Sequence, residues 1–248
     1  MSKTAVLETA GLVAGYEREL PIVRGVDFAL GADELVVILG PNGAGKSTFV
    51  KAIAGLVPIH SGTVRFRGAD ATQTPPHEKI RHGLAFVPQT ENVFATLSIA
   101  DNLKLAADLF PATERARRIQ RLYAMFPDLA DRSGRRAGAL SGGQRQMLAI
   151  ARALIVEPSV LILDEPSAGL SPKVVAEVFA QLQTIRQSGV AIVLVEQNVK
   201  AALTVADRAV ILVEGQVRHQ GAASQIADDP LVAELYLGAR RPRVAALA

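Results

Sequence analysis

The chain has 248 residues, a formal charge of +3, 49% hydrophobic and 4% aromatic residues, and no cysteine. A chain of this length buries most of its apolar surface as one large or two small domains. The lack of cysteine excludes disulfides and thiolate metal sites, and so small a charge without tryptophan argues against nucleic acid as a partner.

Taken in chain order, Thr4–Val13 and Val23–Leu30 read as strands of a small antiparallel sheet, to which Thr63–Phe66 also belongs. Leu35–Leu39 is a continuous apolar run rich in β-branched residues, the pattern of a strand buried on both faces. It runs into Gly40-Pro41-Asn42-Gly43-Ala44-Gly45-Lys46-Ser47, which fits G-x-x-x-x-G-K-[ST]. A helix follows from Lys46, with Phe49, Val50, Ile53 and Ala54 on one side. Strand, glycine loop and helix together form the context in which this pattern is a phosphate site. The backbone N–H groups between Gly40 and Thr48, other than at Pro41, and the positive helix N-terminus would face the β- and γ-phosphates of a nucleotide. Gly40, Gly43 and Gly45 permit the tight path, Lys46 neutralises phosphate charge, and the Ser47 hydroxyl is placed for Mg²⁺.

After the strand-like Leu84–Val87, a helical region extends to about Ile155. Ser98-Ile-Ala-Asp101 is a capping sequence ahead of Leu103, Ala106, Ala107 and Phe110. A second, arginine-rich helix opens at Ala112 or Thr113 and ends near Phe126-Pro127. Its charged face, with Arg115, Arg117, Arg118 and Arg121, is expected to be solvated. Leu140-Ser141-Gly142-Gly143-Gln144 opens a third helix by a capping box between Ser141 and Gln144. A plain helix start leaves its two glycines unexplained, since each costs up to ~1 kcal/mol of helix stability. A backbone that must approach a γ-phosphate closely would explain them.

The apolar strand Val160–Leu163 ends in Asp164-Glu165, at the end where open α/β sheets bind ligands. Asp164 is the candidate Mg²⁺ ligand, and Glu165 the candidate base for an attacking water. Pro166-Ser-Ala-Gly leads into a helix from Pro172, and Ala191–Val195 is a further strand. No apolar run reaches the ~18 residues that span a bilayer. The opening Met1–Thr4 lacks the pattern of a signal peptide, so a cytoplasmic chain is expected.

In this order the motifs resemble those of the ATP-binding subunit of an ATP-binding-cassette transporter, and the resemblance covers nearly the whole chain. It implies an α/β phosphate-loop cassette over residues 1–248. The parallel core is 1–88 and 156–228, with an antiparallel β subdomain at the N-terminus, a helical insertion at 89–155 and a tail at 229–248. Tyr16 stands where the family stacks a ring on adenine. Gln89 matches the glutamine that touches Mg²⁺ and couples to the membrane subunits. Ser141, Gly142, Gly143 and Gln144 match the signature that completes the ATP site of a second cassette, identical or paralogous. The partners implied are that second ATPase chain, transmembrane permease subunits and, indirectly, a periplasmic solute-binding protein. The chain would lie on the inner face of the plasma membrane.

Asp164–Pro172, Leu194–Asn198, Ala206-Asp-Arg208 and Asp229–Gly238 resemble the shorter ATPase type of branched-chain amino-acid importers. ATPases of urea and short-chain amide importers are similar. Two positions depart from the broad family pattern. Gln197 replaces the histidine that contacts the γ-phosphate, and Ser171 replaces an aspartate in the loop linking the two ATP sites. The Gln197 amide can donate to the same phosphate oxygen. A cassette that binds nucleotide without hydrolysing it is the alternative that these departures leave open.

Overall fold

The computed structural model describes residues 5–90 and 92–226. The ending Asp229–Gly238 and the basic cluster Arg240–Arg243 lie outside them, as does Thr4. The elements run β1 (Ala5–Ala14), β2 (Val23–Gly31), β3 (Leu35–Leu39), α1 (Lys46–Ala54), β4 (Ile59–Phe66), β5 (Ala69–Asp70), α2 (Pro76–Arg81) and β6 (Leu84–Val87). The helices α3 (Ile99–Ala107), α4 (Ala112–Met125), α5 (Pro127–Asp131) and α6 (Gly142–Leu154) follow. The chain then continues through β7 (Val160–Asp164), α7 (Pro172–Gln187), β8 (Ala191–Val195), α8 (Val199–Leu203), β9 (Arg208–Val213), β10 (Gln216–Ala222) and α9 (Ala223–Ile226).

Two sheets result. The order β2-β1-β4-β5 is antiparallel, with Thr9 opposite Phe28 on one side and Val64 on the other. The six-stranded sheet runs β10-β9-β3-β8-β7-β6, parallel from β9 to β6, with β10 returning antiparallel on its edge. Every residue of β3, β7 and β8 is buried, because the sheet is covered on both faces. Period-two alternation divides β3 between two cores. Val36 and Ile38 face Phe49, Val50 and Ile53 of α1 and the antiparallel sheet, with Leu7, Leu12 and Phe28. Leu35, Val37 and Leu39 face the helices on the other side, with Leu148, Ile150, Val178 and Leu182.

The arginine-rich face of α4 is not simply solvated, which corrects the expectation from its charge. Arg118 is 10% exposed and lies 3.7 Å over the Phe110 ring. It donates to the Ile155 carbonyl at 2.9 Å and pairs with Glu157 at 3.2 Å. Arg117 and Arg121 reach the same Glu157 at 3.7 and 3.0 Å. One carboxylate after α6 thus gathers three arginines and ties α4 to the turn before β7.

Candidate functional site

Four parallel strands deliver the site at their C-terminal ends. The loop after β3 begins at Gly40, where an added Cβ would stand 2.1 Å from the Leu212 carbonyl oxygen of β9. A side chain is therefore sterically excluded. Gly43 and Gly45 have φ of 80° and 96°, the left-handed region that glycine enters without penalty. Gly45 is the N-cap of α1 and provides no side-chain acceptor. The first N–H groups of the helix thus remain open to an anion. Lys46 is buried, with its Nζ donating to the Gly40 and Pro41 carbonyls at 2.8 and 3.1 Å. Burial lowers its pKa, and the nearby Glu165 and Asp164 carboxylates oppose that shift.

The second half of the site is the end of β7. The Ser47 hydroxyl donates to Asp164 Oδ1 at 2.8 Å, across 117 residues of sequence. Burial raises the Asp164 pKa, with the Ser47 hydrogen bond acting in the other direction. Glu165 leaves the strand with φ of 49°, while its N–H makes the last rung to the Val195 carbonyl at 2.9 Å. A left-handed non-glycine residue costs about 1–3 kcal/mol and persists only where its surroundings hold it. Its carboxylate is held from both sides. Gln89, just beyond β6, donates to Oε2 at 2.9 Å, and Gln197, just beyond β8, donates to the same oxygen at 2.7 Å. A carboxylate only accepts, so both glutamines must present their NH₂ ends to it. The Gln197 amide thus holds Glu165 with one N–H, and its second N–H is not engaged by that bond. The N-cap acceptor of α8 is the neighbouring Asn198 side chain.

Ser47 and Asp164 are hard oxygen donors in direct contact, the ligand type that Mg²⁺ prefers. Among the described residues no group of three or more His, Cys, Asp or Glu could enclose a metal.

The remaining predicted residues lie apart. Tyr16, just after β1, is 63% exposed, its ring free to stack. The same connection passes the phosphate loop at Ile22, whose Cγ2 lies 3.3 Å from where a Gly45 Cβ would be. Ser141 caps α6 and the capping box with Gln144 is complete, with bonds of 3.3 and 3.1 Å. Among the described residues no hydrogen bond joins this segment to residues 40–48. Its glycines have a reason within the chain. A Cβ on Gly143 would lie 2.3 Å from Val174 Cγ1, and one on Gly142 would lie 2.9 Å from Leu170 Cδ2. The glycines make room for the start of α7 and the loop that leads into it.

One residue of the site escaped sequence reasoning. Glu196, directly after β8, is 1% exposed. It accepts from Ser167 N at 3.0 Å, Ser167 Oγ at 2.8 Å and Gln197 N at 3.1 Å. Burial raises its pKa against these hydrogen bonds. The available signal was a lone carboxylate ending an apolar strand, as Asp164 does.

A family model described as ABC transporter matches residues 23–168. The chain belongs to this family. It is 43% identical over 234 residues to an Archaeoglobus fulgidus protein named "Probable branched-chain amino acid transport ATP-binding protein LivF", covering 94% of this chain and 99% of the relative. A Pseudomonas aeruginosa protein, "High-affinity branched-chain amino acid transport ATP-binding protein BraG", is 34% identical, with 91% and 97% covered. The Escherichia coli K12 "Lipopolysaccharide export system ATP-binding protein LptB" is 33% identical, with 94% and 98% covered. Among solved structures, a nucleotide-free ATP-binding cassette from an ABC transporter superposes with a TM-score of 0.84 at 25% identity, covering 95% of this chain and all of that one. The chain is thus an ABC ATPase cassette, the ATP-binding and ATP-hydrolysing subunit of a transporter. Such cassettes work with transmembrane permease components. No helix among the described residues is long and apolar enough to cross a membrane.

Proposed function

We propose that this cassette powers import of branched-chain amino acids, hydrolysing Mg²⁺–ATP in sites shared between two ATPase chains on the inner face of the plasma membrane. The similarity of nearly the whole chain to branched-chain ATP-binding proteins carries the solute assignment. The loop N–H groups and Lys46 hold the β- and γ-phosphates. Lys46 exchanges its two carbonyl partners for phosphate oxygens as the nucleotide enters. Ser47 and Asp164 hold Mg²⁺, with Gln89 beside them; the ion supplies charge neutralisation at the β- and γ-phosphates. Glu165 accepts a proton from the attacking water, and Gln197 orients its carboxylate. The second N–H of the Gln197 amide is available to a γ-phosphate oxygen. Tyr16 stacks on adenine, and Ser141 to Gln144 close the site of the partner chain, which is a second copy or a paralogue. A periplasmic binding protein delivers the solute to the permease.

Uptake of labelled leucine, isoleucine and valine by cells with and without this cassette tests the reading. Loss of that uptake is expected, with urea uptake unchanged. Loss of urea or amide uptake alone would move the assignment to the related importers. Wild-type chain without ATPase activity would favour a nucleotide-gated scaffold.

A further inference from the structure

We propose that Glu196 is a positioning residue for hydrolysis, joining the turn that carries Glu165 to the loop that carries Gln197 so that the two move as one unit. The proposal rests on Glu165 acting as the base. β7 and β8 are parallel neighbours, with Asp164 opposite Val195, and the Glu165 N–H to Val195 carbonyl bond is their last rung. Beyond it the two chains part, and their backbone N–H groups need acceptors. Glu196 supplies them. One oxygen takes Ser167 N, two residues after the base; the other takes Ser167 Oγ and Gln197 N. A ring of contacts closes from Glu165 to the Gln197 amide, through the Gln197 backbone to Glu196, and through Ser167 back to Glu165.

The ring surrounds the strained residue. Glu165 is left-handed, and the Glu196–Ser167 bonds fix the chain immediately after it. A carboxylate offers about four acceptor sites, and Ser167 N, Ser167 Oγ and Gln197 N take three of them, so Glu196 is committed to holding the two loops.

Steady-state hydrolysis by the full-length chain tests the role. Glu196→Gln keeps the volume but turns one acceptor into a donor facing N–H groups. A displacement of ~1 Å at the base costs up to about a hundredfold in rate, so kcat should fall tenfold or more. KM for Mg²⁺–ATP should stay within about twofold, since the phosphate loop is untouched. Ser167→Ala removes one bond of the ring and should lower kcat by a smaller factor, with the double variant no slower than Glu196→Gln alone. Glu196→Asp, which keeps the charge but shortens the reach, should retain more activity than the glutamine. Wild-type kcat in a folded Glu196→Gln overturns the proposal, as does a fall in kcat with a matching rise in KM. If Glu196→Gln fails to fold, a soluble Ser167→Ala with wild-type kcat overturns it. Glu165→Gln is measured in parallel. Retained turnover there refutes the base assignment, whereas loss there with normal Glu196→Gln turnover refutes the positioning role alone.

Discussion

The side-chain amide of Gln197 donates to Oε2 of Glu165 at 2.7 Å, across 32 residues of sequence. With Gln89 on the same oxygen, the carboxylate is held in one orientation and Oε1 is left for water. Removing one preorganised donor typically costs ~3 kcal/mol, about a hundredfold in rate. Gln197→Ala should therefore lower kcat by about one to two orders of magnitude with little change in ATP affinity. An alanine variant with full ATPase activity would show that Gln89 alone suffices.

Glu165→Gln keeps the shape of the base while removing its ability to take a proton. Turnover should nearly vanish and nucleotide binding should persist. A dimer that lives longer in ATP than the wild-type one, followed by light scattering, is the expected signature. Wild-type hydrolysis would remove Glu165 from its role.

Gly143→Ala sets two effects against each other. Replacing a helical glycine gains up to ~1 kcal/mol, but the new methyl would meet Val174 Cγ1 at 2.3 Å. Valine is stiff at χ1, and overpacking costs about 1–3 kcal/mol. A net loss of roughly 1 kcal/mol is expected in thermal or denaturant unfolding. Val174→Ala in the same chain should reverse the sign. A stabilised single variant would mean that α7 moves aside freely.

Lys79 gives a pH signature far from the carboxylates. It is 2% exposed and donates to the Ile53 carbonyl in the last turn of α1 at 2.8 Å; burial lowers its pKa to about 8. Below pH 8 both folded and unfolded states carry the proton, so Lys79 contributes no slope. Between about pH 8 and the unfolded value of ~10.4, the unfolded state binds more protons, and stability rises with pH. The rise from this group is on the order of 3 kcal/mol. In urea unfolding at several pH values, Lys79→Met should lose that increment relative to wild type. Parallel curves for the two proteins would contradict it.

The phosphate loop, the apolar strands and the capping box were legible because each is a local pattern with one physical reading. Residues whose state depends on distant partners were not. Lys79 sits among His77, Glu78 and Arg81 and looks like surface; only the fold brings the end of α1 to it. Which of four arginines on α4 is buried depends on Phe110 and on Glu157, neither of which the helical period identifies. The helix starting at Pro127 was hidden because Phe126-Pro127 reads as an ending, although proline also opens helices at N1. The donors to Glu196 come from the turn after β7 as well as from its own loop, so no window of sequence contains them.

The order β3-β8-β7-β6 sets Lys46, Gln197, Glu165 and Gln89 in a row, one per strand, with neighbouring strands ~4.8 Å apart. Strands β3, β8 and β7 each have a hydrogen-bonded neighbour on both sides, whereas among the described residues β6 pairs with β7 alone. A sideways pull on its free edge would stretch the Gln89–Glu165 contact before any other in the row. Lys46, three strands in from that edge, is the most remote of the four. The contacts that hold the Glu165 carboxylate are therefore the part of the site that a disturbance of the β6 edge reaches first.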